Sequence, residues 1–171
     1  EISPSGMLGG MPLAVSAGRC CDEWRLGAGL NRPLDCANII LSDGRNLDPL
    51  EDEAVRSSGM TYVDTAGFMD AQIWASAVTA LAQRVDVICL HIDLDILDAK
   101  CVPNHSTPEP NGPDAQTTME RIRTVMETGK VLGYTVTSVY HPGKDGQEVC
   151  TLNAIRLLGA GLESWKRCPS L

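Results

Sequence analysis

Aromatic side chains are scarce in this chain: three Trp, three Tyr and one Phe among 171 residues. The core must therefore be built from Leu, Val, Ile, Ala and Met, and no aromatic platform for nucleic-acid bases is in view. Basic residues are also in deficit, 14 against 22 acidic ones, for a net charge of −8. That balance argues against nucleic acid as a partner. It suits a small cationic substrate, although most such charge simply keeps a protein in solution. No apolar run approaches the length of a membrane span, so no membrane association is expected. No basic and apolar leader of the secretory kind opens the sequence. The seven cysteines contain no C-x-x-C pair, and an odd number is not a disulfide framework. A reducing, cytoplasmic compartment is the expectation. The adjacent pair Cys20-Cys21 reads as a loop feature, and Cys89 and Cys150 read as small apolar residues of a buried strand and a helix.

What is present is concentrated in His91-Ile-Asp93-Leu-Asp95-Ile-Leu-Asp98 and the loop after it, Ser106-Thr107-Pro108-Glu109-Pro110-Asn-Gly112. The run from Val85 to Leu97 is apolar enough for a strand buried on both faces. Side chains two apart on a strand share a face, so Asp93 and Asp95 are expected side by side. Buried carboxylates need a partner: a metal ion, buried arginines or capped backbone. The stiff proline-bearing loop that follows favours the metal, because ligands of parallel sheets sit beyond the carboxyl ends of strands. By the same spacing His91 shares that face, and it reads as a hydrogen-bonding or packing histidine rather than a third ligand.

The segment H-I-D-L-D-I-L-D-A-K-C-V-P-N-H-S-T-P-E-P-N-G resembles the signature of the ureohydrolase (arginase/agmatinase) family. Two further segments resemble that family in order and spacing. They are Ser3-Pro-Ser5-Gly6-Met-Leu-Gly-Gly-Met11-Pro12 and Gly44-Arg45-Asn46-Leu47-Asp48-Pro49-Leu-Glu51. The resemblance covers nearly the whole chain. It implies an α/β fold with a mainly parallel sheet covered by helices on both faces, a three-layer arrangement. It also implies a site for two Mn²⁺ ions and hydrolysis of a guanidinium or amidine C–N bond. By position, Asp93 and Asp95 match metal ligands, Ser5 and Asp48 match residues that hold the substrate, and Thr107 matches a residue lining the pocket.

The departures from the family pattern are specific. Gly9 stands where a histidine is expected, Asn46 where an aspartate is expected, and Val139 where a glutamate grips the guanidinium group. The remaining metal ligands of the family would precede Glu1. Residues 1–171 are therefore expected to form the C-terminal part of one arginase-like domain, with the N-terminal part of the fold absent from this chain. An N-terminal fragment or second subunit should complete it, and the assembly should be a homo-oligomer rather than a lone monomer.

The rest of the chain supports a β-α-β-α alternation. Strands are expected at Ala37 to Leu41, Thr61 to Val63, Val85 to Leu94 and Val131 to Val139. Helices are expected at Met11 to Ala17, Leu50 to Ser57, Asp70 to Arg84, Asp114 to Thr128 and Gln147 to Leu158. In the third of these, Ile73, Ala77 and Leu81 form the apolar face. In the fourth, Met119, Ile122, Val125 and Met126 do so, with Gly129 ending the helix.

With Gly9 unable to move a proton, His105 or His141 must supply the general acid. His105 lies two residues before Thr107 on the loop beyond the strand, and His141 follows the next strand. Glu109 reads as a solvated loop carboxylate. The expected activity is metal-dependent hydrolysis of a guanidino or amidino C–N bond, distinct from that of an ordinary arginase. Two rivals stand beside it: a non-catalytic subunit or pseudoenzyme of the same fold, and another metal-dependent amide or C–N hydrolase on the same scaffold.

Overall fold

A computed structural model describes residues 4, 6–103, 105–139 and 148–166. In chain order the helices are α1 (Pro12–Ser16), α2 (Asp22–Gly27), α3 (Pro49–Ser57), α4 (Thr65–Met69), α5 (Ala71–Arg84), α6 (Ala115–Met126) and α7 (Glu148–Ser164). The strands are β1 (Ile40–Ser42), β2 (Thr61–Val63), β3 (Ile88–Asp93) and β4 (Val131–Thr137). β1 precedes α3, β2 precedes α4, and β3 lies between α5 and α6.

Aspartate starts four of these helices. The Asp64, Asp70 and Asp114 carboxylates accept from Gly67 N, from Gln72 N and Ile73 N, and from Thr117 N respectively. Asp48 and Glu51 form a reciprocal capping box at α3. Each such cap satisfies donors that the first turn leaves without a carbonyl, a contribution of about 1 kcal/mol. The hydrogen bonds at Asp114 hold its carboxyl below the usual carboxylate range.

The strands pair in parallel, as the alternation requires. β1 lies on β2 with Ile40 opposite Thr61, and β3 lies on β4 with Leu90 opposite Tyr134 and Asp93 opposite Thr137. Among the described residues the two pairs are separate sheets with no hydrogen-bonded strand between them. One core nevertheless runs through both, from Val63 and Phe68 through Trp74, Val78, Ile88 and Ile92 to Ile122, Met126, Val131 and Leu157. The Trp74 indole donates to Arg121 O at 3.0 Å, and Arg121 Nε donates to Phe68 O at 2.7 Å, which ties α4 and α5 to α6. Gly161 lets α7 approach β4: a Cβ there would lie 2.3 Å from the Tyr134 ring, whose hydroxyl donates to Leu157 O.

Several expectations shift. Only the second half of the expected strand from Ala37 is extended. Cys36–Asn38 is a 3₁₀ turn, because the Asp35 carboxylate captures Ala37 N at 3.0 Å. The buried face of α5 is Trp74, Val78 and Leu81, and Ile73 is exposed. The bulky indole takes the core position and rotates the stripe by one residue. Helices α2 and α4 lie where no helix was expected, and α7 continues to Ser164.

β3 is not buried on both faces within this chain. Ile88 and Ile92 face the core, whereas Cys89 and His91 are exposed. His91 Nδ1 instead meets Thr135 Oγ1 at 2.8 Å across the sheet. On α7, Val149, Leu152, Ile155 and Leu162 are exposed as well.

Candidate metal centre

The site forms where β3 ends. The strand stops at Asp93, and Leu94–Ile96 is a 3₁₀ turn begun by the Asp93 carboxylate, which accepts from Asp95 N at 3.4 Å. Asp95 is therefore not on the strand, and the two-residue strand period does not bring the carboxylates together. The turn does. It is pinned by Leu94, Leu97 and Val102, all fully buried. Each such side chain contributes on the order of 1.5–3 kcal/mol by leaving water. The aspartates alternate with these anchors, so apolar burial fixes where the charges stand.

His105 completes the cluster. One ligand atom each from Asp93, Asp95 and His105 lie within 4.8 Å of one another. His105 is buried, and its backbone N–H donates to Val102 O at 3.0 Å. Its Nδ1 accepts from Thr107 N at 3.2 Å and lies 3.3 Å from Thr107 Oγ1. A backbone N–H can only donate, so the neutral ring carries its proton on Nε2. This tautomer suits a proton holder beside the carboxylates better than a third ligand.

The electrostatics suit a cation. Burial, the neighbouring charge of Asp93 and a hydrogen bond with it push the Asp95 carboxyl up to about 6. Two oxygen donors that repel each other in a half-buried place are relieved by a divalent ion. Carboxylate oxygen donors suit hard metals such as Mn²⁺. The residues present therefore fit the metal that the sequence resemblance implies, and Asp93 and Asp95 are the ones that could hold it.

The loop between Leu97 and Ala115 is held by its own main chain. Asp98 N donates to Pro113 O at 2.9 Å and Ala99 N donates to Glu109 O at 3.0 Å. The Asp98 carboxylate accepts from Lys100 N at 3.0 Å, and its backbone donors lower its carboxyl below the usual range. Glu109 is not merely solvated: Asn46 Nδ2 donates to its Oε2. Arg45 lies behind the same loop, where its two terminal nitrogens donate to four carbonyls: Asp95, Ile96, Glu109 and Pro110. The sequence offered Arg45 and Asn46 only as part of a family-like segment, with nothing local to say what they reach.

Of the expected site residues, Asp93, Asp95, His105 and Thr107 come together. Asp48 is exposed at the N-terminus of α3, where it forms the capping box. Ser5 and His141 lie outside the described residues. Val139 is exposed just beyond β4, and Gly9 is exposed in the short 3₁₀ turn Leu8–Gly10.

A model of the arginase family matches residues 1–160. The chain belongs to the arginase family. It is 31% identical over 111 residues to an arginase from Brevibacillus brevis, a match that covers 62% of this chain and 37% of the relative. The crystal structure of the Bacillus subtilis arginase superposes with a TM-score of 0.83 at 25% identity, covering 94% of this chain and 57% of that one. The agmatine ureohydrolase of Thermoplasma volcanium shares the fold with a TM-score of 0.59 at 19% identity, covering 74% of this chain and 41% of that one. The arginase fold and its parallel strands are thus those expected. The chain spans just over half of the solved arginase and little more than a third of the curated one.

Proposed function

We propose that this chain carries the D-x-D half of a two-metal site that hydrolyses a guanidino or amidino C–N bond. The observation that carries the reading is the convergence of Asp93, Asp95 and His105 at the end of β3. Asp93 and Asp95 hold the metal, with Mn²⁺ the preferred ion. When bound, the two ions supply an activated water for attack on the guanidinium or amidine carbon. His105, fixed through Nδ1 by Thr107, offers Nε2–H as a hydrogen bond to the departing amine, whose own proton is the one the attacking water gives up. Thr107 thereby orients the ring, and its hydroxyl faces the same ring. Asp48 and Ser5 remain assigned to substrate binding by position in the family pattern, and His141 to proton transfer by its place after the fourth strand in the sequence.

The other ligands come from outside this chain, in an N-terminal fragment or second subunit. Support comes from the two separated strand pairs, the open face of β3 and the apolar stripe on α7. The completed protein assembles as a homo-oligomer in a reducing, cytoplasmic setting, in keeping with six free cysteines among the described residues. No helix among those residues is long and apolar enough to cross a membrane. L-Arginine is a poorer substrate than other guanidino or amidino compounds, because Val139 and Gly9 offer neither charge nor proton.

The deciding experiment is Mn²⁺ titration of the intact native protein and of D93A/D95A, followed by the signal of free Mn²⁺. Uptake should vanish in the double variant, along with hydrolysis of guanidino compounds. Unchanged uptake would sink the reading.

A further inference from the structure

We propose that Arg45 is the positioning residue of the metal centre, a clamp that locks the Asp95 turn to the Thr107–Gly112 loop. The proposal rests on the reading of Asp93 and Asp95 as metal ligands. Arg45 Nη2 donates to Asp95 O and to Ile96 O, both at 2.7 Å, and Nη1 donates to Glu109 O and Pro110 O, both at 3.1 Å. One guanidinium thus grips the main chain of a ligand residue and that of the loop carrying Thr107. A planar fork of donors can do this, whereas an ammonium group cannot reach four carbonyls in one plane.

The fork is itself seated. Arg45 Nε lies 3.4 Å from Asp43 Oδ2, with the Arg45 side chain 13% exposed and that of Asp43 wholly buried. The Asp43 carboxylate also accepts from the Thr65 hydroxyl. On the opposite side the seat is cut to fit by Gly112. A Cβ there would lie 2.2 Å from Arg45 Nη1 and 2.7 Å from Ile96 O, so no larger residue leaves room for the fork. Asn46 adds a second tie from the same segment by donating to Glu109 Oε2. Four backbone carbonyls, one buried counter-charge and one glycine cavity therefore converge on a side chain that need not touch the metal. Its role is to fix the angle at which Asp95 presents its carboxylate.

The test is the Mn²⁺ affinity of the intact native protein, read by the free-ion signal in R45Q, R45K, G112A and R45Q/G112A. D93A/D95A checks the underlying reading, and V78A serves as a core control away from the site. R45Q should bind Mn²⁺ on the order of 10-fold to 100-fold more weakly, the range for groups that orient a metal ligand. R45K should recover part of the loss. G112A removes no polar group, yet it should weaken uptake by displacing the fork, and the double variant should be no weaker than R45Q alone. V78A should lower the melting temperature and leave the affinity unchanged, which separates positioning from general loosening. Native affinity in folded R45Q overturns the proposal, as does an equal affinity loss in V78A. If R45Q does not fold, native affinity in both R45K and G112A overturns it. Uptake lost in D93A/D95A but unchanged in the Arg45 and Gly112 variants sinks the clamp alone. Uptake unchanged in D93A/D95A removes the ground of both readings.

Discussion

Asp43 and Asp95 both lose much of their water, Asp43 more than Asp95, and their surroundings differ. Asp43 sits deep behind the loops with Arg45 and the Thr65 hydroxyl against its carboxylate. Burial raises its pKa, and both neighbours pull it back down. Asp95, half-buried at the end of β3, has a second acid, Asp93, as the charge that acts on it most strongly, and that acid adds to the rise instead of opposing it. The first arrangement contains its own cation. At the second, the like charge of Asp93 adds to the effect of burial and leaves the carboxyl well above its ordinary value.

The largest test of that difference is Asp43→Ala. It leaves the Arg45 guanidinium buried beside no counter-charge, and removing one partner of a buried pair costs ~3–5 kcal/mol. Urea unfolding of the metal-free protein should show a loss in that range. A loss below 1 kcal/mol would mean that the four carbonyls around Arg45 satisfy it without Asp43.

The converse change, Asp95→Asn, should have the opposite sign. The folded state raises the Asp95 pKa from 3.8 to about 6. An acid raised on folding favours the folded state while it is protonated. That contribution is full below about pH 4 and is lost as the pH rises through about 6. The metal-free protein should thus melt lower at pH 7 than at pH 4, and the Asp95→Asn variant should lose part of that step. Mn²⁺ uptake by the native protein should rise over the same window, because the bound carboxylate must be ionised. Melting curves at several pH values, with and without Mn²⁺, check both trends. A step of equal size in the variant would place the titration elsewhere.

The smallest effect sharpens the Asp43 side of the comparison. Thr65→Val keeps the shape of the side chain and removes its hydroxyl from Asp43. The cost should be ~1.5–3 kcal/mol, the range for a hydrogen bond to a charged group, and at its lower end because Arg45 remains. Mn²⁺ affinity should change less than in Arg45→Gln. A larger affinity change in Thr65→Val would shift the seat of the clamp from Arg45 to the β2–α4 corner.

Local signals in the sequence are legible where the physics is local. The helix expected from Asp114, its apolar stripe of Met119, Ile122, Val125 and Met126, and the short strand Thr61 to Val63 all rest on spacing within one element. The same reasoning misplaced Asp95, because a strand period was carried past the point where Leu94–Ile96 turns. It also put Ile73 in the core, since a 14-residue helix rich in Ala has several similar apolar faces and only packing of Trp74 chooses among them. Cys89 and His91 were expected inside because the run around them is apolar, whereas in this chain that side of β3 is open.

By itself the sequence determined the family, the parallel α/β class and the two carboxylates that a metal would meet. These are carried by ordered motifs and by residue types that tolerate few surroundings. Only the tertiary structure decided that His105 joins Asp93 and Asp95, and that Arg45 reaches carbonyls 50 to 65 residues away. Periodicity and capping report on neighbours within a few residues. Contacts between loops depend on how the packed elements beneath them set each loop in place, and that is settled only when the core closes.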